Sequence, residues 1–376
     1  MSNSDEPIWV LHTCNELSIG GDQSFLMNYY RNIDRSKVQF AFAIQREVDY
    51  DHDAEIIKMG GRIHKMHSMN ESLVSYAKDL KSILKQHPEY KIVHAHMNHR
   101  NVIALAICKF VGVPIRISHS HNLGSKLSLL TRARVELLKY KLQNVATDFL
   151  ACSKGAAEYL YGRTMNYCII NNAIDSKKFL FSPETRERMR YDLGNGSEFL
   201  IGHIGNFSAQ KNHKFLIDIF SKLNNNSKLI LVGNGPLMEE VKKYAMMIKV
   251  LDRVVFLGVR NDISDLMQAF DAFVFPSLFE GLGIVAIEAQ AAGLPTYCSD
   301  GVPKDVDITN LAVHIPLSAS AEEWAAIIEM AEYAQRRDMY RDICMAGYDI
   351  HENAKILEDF YIDNLKKIKN NTDRLY

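Results

Sequence analysis

The stretch "FPSLFEGLGIVAIEAQAAGLP" (275–295) carries two carboxylates, Glu280 and Glu288, eight positions apart in an otherwise apolar run. A carboxylate among Ile, Val and Ala is costly unless it accepts hydrogen bonds. The vicinal hydroxyls of a ribose are natural donors to it. A salt bridge from Glu288 to a neighbouring strand would meet the same need. Gly281 and Gly283 flank the expected start of the helix bearing Glu288, where free backbone N–H groups favour an anion. Glu288 then lies about one and a half turns in, roughly 7 Å along the axis. Upstream, Lys211 sits just before a second expected helix, with Asn212 placed to cap it. A cation at the positive end of a helix dipole is locally unfavourable. A bound diphosphate relieves that conflict, and a solvated lysine is the plain alternative.

The first half offers weaker signals of the same kind. Gly20 and Gly21 precede an expected helix, which fits either a phosphate approach or a tight turn. His119 and His121 in "SHSHN" alternate onto one face of a strand end. There they can hydrogen-bond a polyol or move a proton. A metal pair is open too, with no third ligand at an obvious spacing. Among 14 histidines, a chance cluster is the bland reading. The turns "LVGNGP" (231–236) and "FLGVRND" (256–262) each suit a flat base or a ribose. No GxGxxG and no P-loop lysine is present, which disfavours NAD enzymes and P-loop NTPases.

These residues all fall at the ends of expected strands. Short apolar runs alternate with helical patterns along the chain: 8–14, 38–44, 62–66, 91–96, 114–121, 148–153 and 167–174 in the first half. In the second half they are 199–205, 228–235, 253–259, 272–277, 295–300 and 311–317. Runs that are apolar on both faces and separated by helices predict buried parallel strands. The fold class is therefore α/β, with two Rossmann-like doubly wound domains. The polar segment 175–198 is expected to carry the boundary. Ligands of such sheets sit outside the carboxyl ends of the strands, and a cleft between facing domains is the expected site.

The totals bound the rest. A chain of 376 residues suits two domains. With 44 Lys+Arg against 45 Asp+Glu, no overall field attracts nucleic acid, and no nucleic-acid partner is expected. The six cysteines never come closer than 16 residues, so they predict reduced thiols and a cytoplasmic protein. "MSNSDEPIW" does not read as a signal peptide, and no run is long enough to span a membrane. Segment 126–143 has five cations (Lys126, Arg132, Arg134, Lys139, Lys141) against Glu136, with leucines interleaved. It predicts either peripheral contact with an anionic membrane or a helix packed on the sheet with a solvated basic face.

The motifs together resemble family 4 retaining glycosyltransferases of GT-B fold, in the exopolysaccharide-type branch. The resemblance rests on the E-x7-E stretch 275–295, "LGVRNDISDLMQAFDAFVFPS" before it, and "SAQKNH" upstream. "GGDQSFLMNYYRNID", "VHAHMNHRNVIALAICKFVGVPIRISHSHN" and "LACSKGAAEYLYG" agree with it in the first half. It covers nearly the whole chain.

The resemblance implies an acceptor-binding domain at 1–180, completed by a C-terminal helix near 355–376, and a donor-binding domain at 181–354. It implies a hexose or N-acetylhexosamine moved from a nucleotide sugar, UDP-linked, to a glycan or polyprenyl-linked acceptor. Glu288 would bind ribose, Glu280 would face the transferred sugar, and Lys211 would neutralise the diphosphate. The amides of Gly281, Leu282, Gly283 and Ile284 would hold sugar hydroxyls and phosphates. Backbone at Val259 and Arg260 would meet the base, Gly21 would approach the diphosphate, and His121, or His119, would contact the reacting sugar. The family is metal-independent, so no cofactor is implied, and the D-x-D string in "DYDHD" (49–53) reads as a loop. One position departs. The family's usual "GRF" arginine is Asn206 here, which removes a charge and a bidentate donor. Two other readings stay open: a catalytically weak GT-B scaffold serving a partner transferase, and a sugar-nucleotide epimerase of the same fold, which the E-x7-E pattern opposes.

Overall fold

The computed structural model of the chain describes residues 6–15, 21–45, 52–121, 129–194, 196–330 and 336–373. The chain forms two compact units, 1–173 with 349–376, and 174–348.

The first unit is built on seven parallel strands: β1 (Ile8–Cys14), β2 (Val38–Ile44), β3 (Arg62–Lys65), β4 (Ile92–Ala95), β5 (Ile115–Ser120), β6 (Asp148–Ala151) and β7 (Cys168–Ile169). Their order is β3-β2-β1-β4-β5-β6-β7. Helices cover both faces, so successive residues of a strand are both apolar. Val10 and Ile92 enter one core, while Leu11 and Val93 enter the other. Register pairs His12 with His94, and His94 with Ile117. Histidines on three adjacent strands are thereby brought side by side.

The helix Ile350–Asp373 belongs to this unit. It buries Leu357 and Tyr361 beside the helix Gly21–Asn32. Glu358 anchors it by accepting from Asp34 N at 3.2 Å and pairing with Lys37 at 3.2 Å.

The second unit has six parallel strands: β8 (Phe199–Ile204), β9 (Ser227–Val232), β10 (Val254–Gly258), β11 (Ala272–Phe275), β12 (Thr296–Ser299) and β13 (Ala312–Ile315). Their order is β10-β9-β8-β11-β12-β13. Both faces are again covered, with Leu200 in one core and Ile201 in the other.

The boundary between the units falls at 173/174, just before segment 175–198, which itself belongs to the second unit. Ser182 caps the helix Pro183–Asp192 by accepting from Thr185 N at 3.1 Å, and Pro183 starts it. Arg186 and Arg190 then both pair with Asp271. Polar composition there reflects a helix whose charges are used in ion pairs rather than a free connection.

In both sheets the winding reverses beside the first strand. The reversal lies between β1 and β4 in one unit and between β8 and β11 in the other. The loops after these strands flank the crevice where doubly wound sheets hold ligands.

Candidate functional site

The loop after β8 and the loop after β11 meet. Lys211 Nζ lies 2.7 Å from Glu280 Oε1, and the Phe275 ring lies 4.6 Å beneath the ammonium. Gln210 joins them by donating to Phe279 O at 3.0 Å and Glu280 Oε2 at 3.2 Å. Leu278 N donates back to Gln210 O at 2.8 Å. Asn212 does not cap the helix His213–Lys222 through its side chain. It adopts a left-handed conformation (φ 55°), and its amide donates to Pro276 O at 3.2 Å. The residue expected to end one loop instead ties it to the next.

Below Lys211 lie two histidines that sequence reasoning missed. His203 bonds Val274 O through Nδ1 at 2.8 Å, and its Nε2 is buried without a partner. His213 is buried with both nitrogens unpartnered and stacks on Phe207 at 4.1 Å. Burial, and then the nearby Lys211 charge, pushes His213 down to about 4. Both rings are therefore neutral near pH 7. The "GHIG" and "KNH" contexts hinted at them only once β8 and its following helix are seen to converge.

The helix Ile284–Ala291 starts at Gly283, whose φ of 85° suits glycine. The amides of Gly281, Leu282, Gly283 and Ile284 donate to no other described residue. Gly281 is open to solvent and Leu282 is buried. Four free donors thus stand beside the Lys211–Glu280 pair. Glu288, further along this helix, has no hydrogen-bonding or cationic partner among the described residues. Apolar packing alone pushes its carboxyl up to about 7. The alternative of a salt bridge to a neighbouring strand is therefore not met. The residue as a whole is only partly exposed.

The neighbouring loops are tight. A Cβ on Gly233 would lie 2.1 Å from Gly205 O, and one on Gly235 would lie 2.0 Å from Asn206 Oδ1. Asn206 is exposed above this contact. Val259 and Arg260 follow β10, and both are exposed. The Arg260 guanidinium is held by Asp262, with Nε 2.8 Å from Oδ1. β10 is two strands from β8, roughly 10 Å across the sheet.

In the other unit, the structure brings together five buried histidines. His12 Nδ1 lies 3.0 Å from His96 Nε2, and His96 Nδ1 lies 2.8 Å from His121 Nε2. His94 bridges His119 Nδ1 at 3.1 Å and the Tyr361 hydroxyl at 2.7 Å. Burial holds His94, His96 and His119 well below the ordinary range, and pushes His12 down to about 3. The third ligand that spacing did not reveal is present: His96 groups with His119 and His121, and also with His12 and His94. Neither group contains a carboxylate to balance a dication, and these rings already bond one another. The repeated HxH of "VHAH" and "SHSH" was the signal that could have found the cluster. Gly21 is the first residue of its helix, and Gly20 lies outside the described residues, as do Asp49 and Asp51 of "DYDHD".

Residues 198–331 match the group 1 glycosyl transferases. EpsF of Bacillus subtilis, named as a glycosyltransferase, is 32% identical over 377 residues, covering 96% of this chain and 98% of that one. The chain belongs to the group 1 glycosyltransferases. A second relative is an Escherichia coli enzyme, UDP-Gal:alpha-D-GlcNAc-diphosphoundecaprenol alpha-1,3-galactosyltransferase. It is 29% identical over 247 residues, 60% of this chain and 63% of that one. Among solved structures, Anabaena HepE in complex with UDP-glucose superposes with a TM-score of 0.71. That match has 19% identity and covers 98% of this chain and 99% of that one. The fold is GT-B.

Within this glycosyltransferase, the basic segment 126–143 is partly described. The helix Leu129–Leu142 buries Val135 and Leu142 against the first unit, so its apolar stripe is used in packing. Lys139 pairs with Glu136 at 2.9 Å and lies over the Tyr159 ring. Arg132, Arg134, Lys141, Leu137 and Tyr140 are exposed. Lys126 lies outside the described residues. No described helix is long and apolar enough to cross a membrane.

Proposed function

We propose that this glycosyltransferase moves a hexose or N-acetylhexosamine, with retention, from a UDP-sugar to a glycan or polyprenyl-linked acceptor. The observation that carries the donor reading is Glu288, an unpartnered carboxylate on the helix whose first amides are free. Ribose hydroxyls would give it the donors that the protein does not. The diphosphate would lie between those amides and Lys211, and the base would reach the backbone at Val259 and Arg260. Glu280 would meet the transferred sugar, and His121 is proposed to contact a sugar hydroxyl from the first unit's own strand end. The Escherichia coli relative, by its name, uses UDP-galactose and a diphosphoundecaprenol acceptor. A Campylobacter jejuni relative is named for the same acceptor class.

In the reaction the C1–O bond breaks and its electron pair goes to the diphosphate. Lys211 and the loop amides stabilise that charge electrostatically. The acceptor hydroxyl bonds C1 on the same face, and its proton passes to the departing diphosphate. With a protein cation already in place, the step is proposed to need no metal. We place the acceptor end at the inner face of the membrane, where Arg132, Arg134 and Lys141 would face anionic lipid. Asn206, a neutral residue where the family resemblance implies an arginine, favours one other reading: a weak catalyst that serves as partner to another transferase.

Calorimetric titration of the wild-type protein and Glu288→Ala with UDP and a panel of UDP-sugars, without metal, tests this. Binding that Glu288→Ala loses supports the donor site. No binding by either protein turns the reading to the scaffold. UDP-sugar hydrolysis by the isolated protein separates the two readings further.

A further inference from the structure

We propose that the turn after β12, Ser299 to Gly301, holds Glu280 in place for the transferred sugar, which makes Ser299 and Gly301 positioning residues of the donor site. This rests on the role proposed for Glu280 above.

The loop after β11 is tied from outside at four successive residues. Ser277 O accepts from Ser299 Oγ. Leu278 N donates to Gln210 O at 2.8 Å, and Phe279 O accepts from the Gln210 side chain at 3.0 Å. Glu280 N donates to Gly301 O at 3.0 Å. A segment without helix or strand bonds takes its shape from such partners. Two of the four bonds come from the β8 side and two from the β12 turn.

The two sides part when a diphosphate arrives. The Glu280 carboxylate is held from the β8 side alone, by Lys211 at Oε1 and Gln210 at Oε2. A diphosphate competes with that carboxylate for the Lys211 ammonium. The bond to Gly301 is made by neutral backbone groups, so this competition leaves it in place. It keeps the Glu280 backbone fixed while the carboxylate turns from Lys211 to a sugar hydroxyl.

The turn is shaped for close approach. Ser299 is buried, and its Oγ, besides donating to Ser277 O, accepts from Gly301 N at 3.3 Å. A Cβ on Gly301 would lie 2.3 Å from Leu278 O and 2.7 Å from Ser277 O. Gly301 does not have a left-handed φ, so space and not conformation calls for glycine here. Behind it the turn is anchored to β13 and the residues that follow. Leu317 N donates to Asp300 Oδ1 at 2.9 Å, and His314 Nδ1 lies 3.1 Å from Ser299 O. A side chain at 301 therefore pushes on the loop that bears Glu280.

The test compares the full-length wild type, Gly301→Ala, Glu280→Gln and the double variant. UDP release is followed from UDP-glucose, UDP-galactose and UDP-N-acetylglucosamine, and UDP affinity is measured by calorimetry. Gly301→Ala is expected to slow release by about ten- to a hundredfold, the effect of a small misplacement. It should leave UDP affinity within about twofold of wild type, because the loss lies in the sugar contact. In the Glu280→Gln background it should cost nothing further, since it acts through Glu280. Losses that multiply in the double variant would overturn the proposal. So would wild-type release by a folded Gly301→Ala, or a UDP affinity that falls in step with the rate. Ser299→Ala is the second variant if Gly301→Ala does not fold. It is expected to slow release in the same way, while Ser299→Thr keeps the hydroxyl and restores the rate. Full release by Glu280→Gln would remove Glu280 from the sugar and take the proposal with it. A wild type that binds no UDP, or releases none from these sugars, would instead remove the donor reading itself.

Discussion

Lys211 Nζ lies 2.7 Å from Glu280 Oε1, and the two side chains are only 17% and 7% exposed. Breaking a pair this far out of water strands one charge. Lys211→Ala is therefore expected to cost stability as well as turnover, about 1–3 kcal/mol in urea denaturation. The double variant Lys211→Ala/Glu280→Gln removes the stranded carboxylate and recovers most of that stability. Its turnover stays depressed by about 10²–10³-fold, the usual loss for one transition-state donor. Near-normal turnover in the double variant would remove Lys211 from catalysis.

Glu288 gives a pH signature. Its carboxyl is pushed up to about 7 from an ordinary 4.5 because burial disfavours the charge. Between those values the folded chain binds more protons than the unfolded one, so this group's contribution to stability falls as pH rises from 4.5 to 7. Ribose hydroxyls need the ionised form. Uridine, which has no phosphate to titrate, is expected to bind about tenfold more weakly per unit below pH 7. Glu288→Gln should flatten both slopes. A uridine affinity that is level from pH 5.5 to 7.5 in the wild type would remove Glu288 from the ribose.

Asn206 stands where the family resemblance implies an arginine, and it is exposed, so a longer side chain has room above the loop. Asn206→Arg adds a charge-assisted donor beside Lys211. UDP is expected to bind about tenfold more tightly, the worth of about 1.5 kcal/mol. Weaker UDP binding in this variant would show that the asparagine serves another partner.

How much of this was legible follows from what each feature depends on. All thirteen expected strands formed, and most are buried on both faces and announce themselves as continuous apolar runs, while the edge strands β3, β7 and β13 are partly exposed. Lys211, Glu280 and Glu288 stood out because charge in an apolar or dipole-opposed setting is locally visible. Pairing was not visible. Lys211 and Glu280 are 69 positions apart, and His12 and His96 are 84 apart. Their meeting depends on strand order, which no local pattern encodes. Asn212 misled for the opposite reason: its type matched a cap, but the β11 loop offered its amide a carbonyl. The boundary falls between 173 and 174, at the edge of the polar segment 175–198, whose arginines turn out to pair with Asp271.

Gly233 tests the loop that supports the proposed donor site. A Cβ there would sit 2.1 Å from the Gly205 carbonyl oxygen, a backbone atom that cannot rotate away. Gly233→Ala is expected to destabilise by about 1–3 kcal/mol, as overpacked positions do. It should also weaken UDP binding by displacing Gly205 and Asn206. A stability equal to wild type in urea would show that the loop relaxes freely and does not hold the site.

The exposed basic face of the helix Leu129–Leu142 gives the last prediction. Its apolar stripe is already packed, so any membrane affinity must come from Arg132, Arg134 and Lys141, helped by the exposed Leu137 and Tyr140. Phe110, on the helix Asn101–Val111, is 80% exposed, with Lys81 Nζ 4.6 Å over its ring. Each basic residue near an anionic surface contributes about 1 kcal/mol. Replacing all three by glutamine is expected to weaken flotation with phosphatidylserine-containing vesicles more than a hundredfold. Raising salt should weaken the wild type in the same direction, since these charges are in water and are screened. Flotation that persists in the triple variant would assign the contact to Leu137, Tyr140 and Phe110 instead. No flotation of the wild type would leave the basic face as a solvated helix surface and remove the membrane from the proposed acceptor reaction.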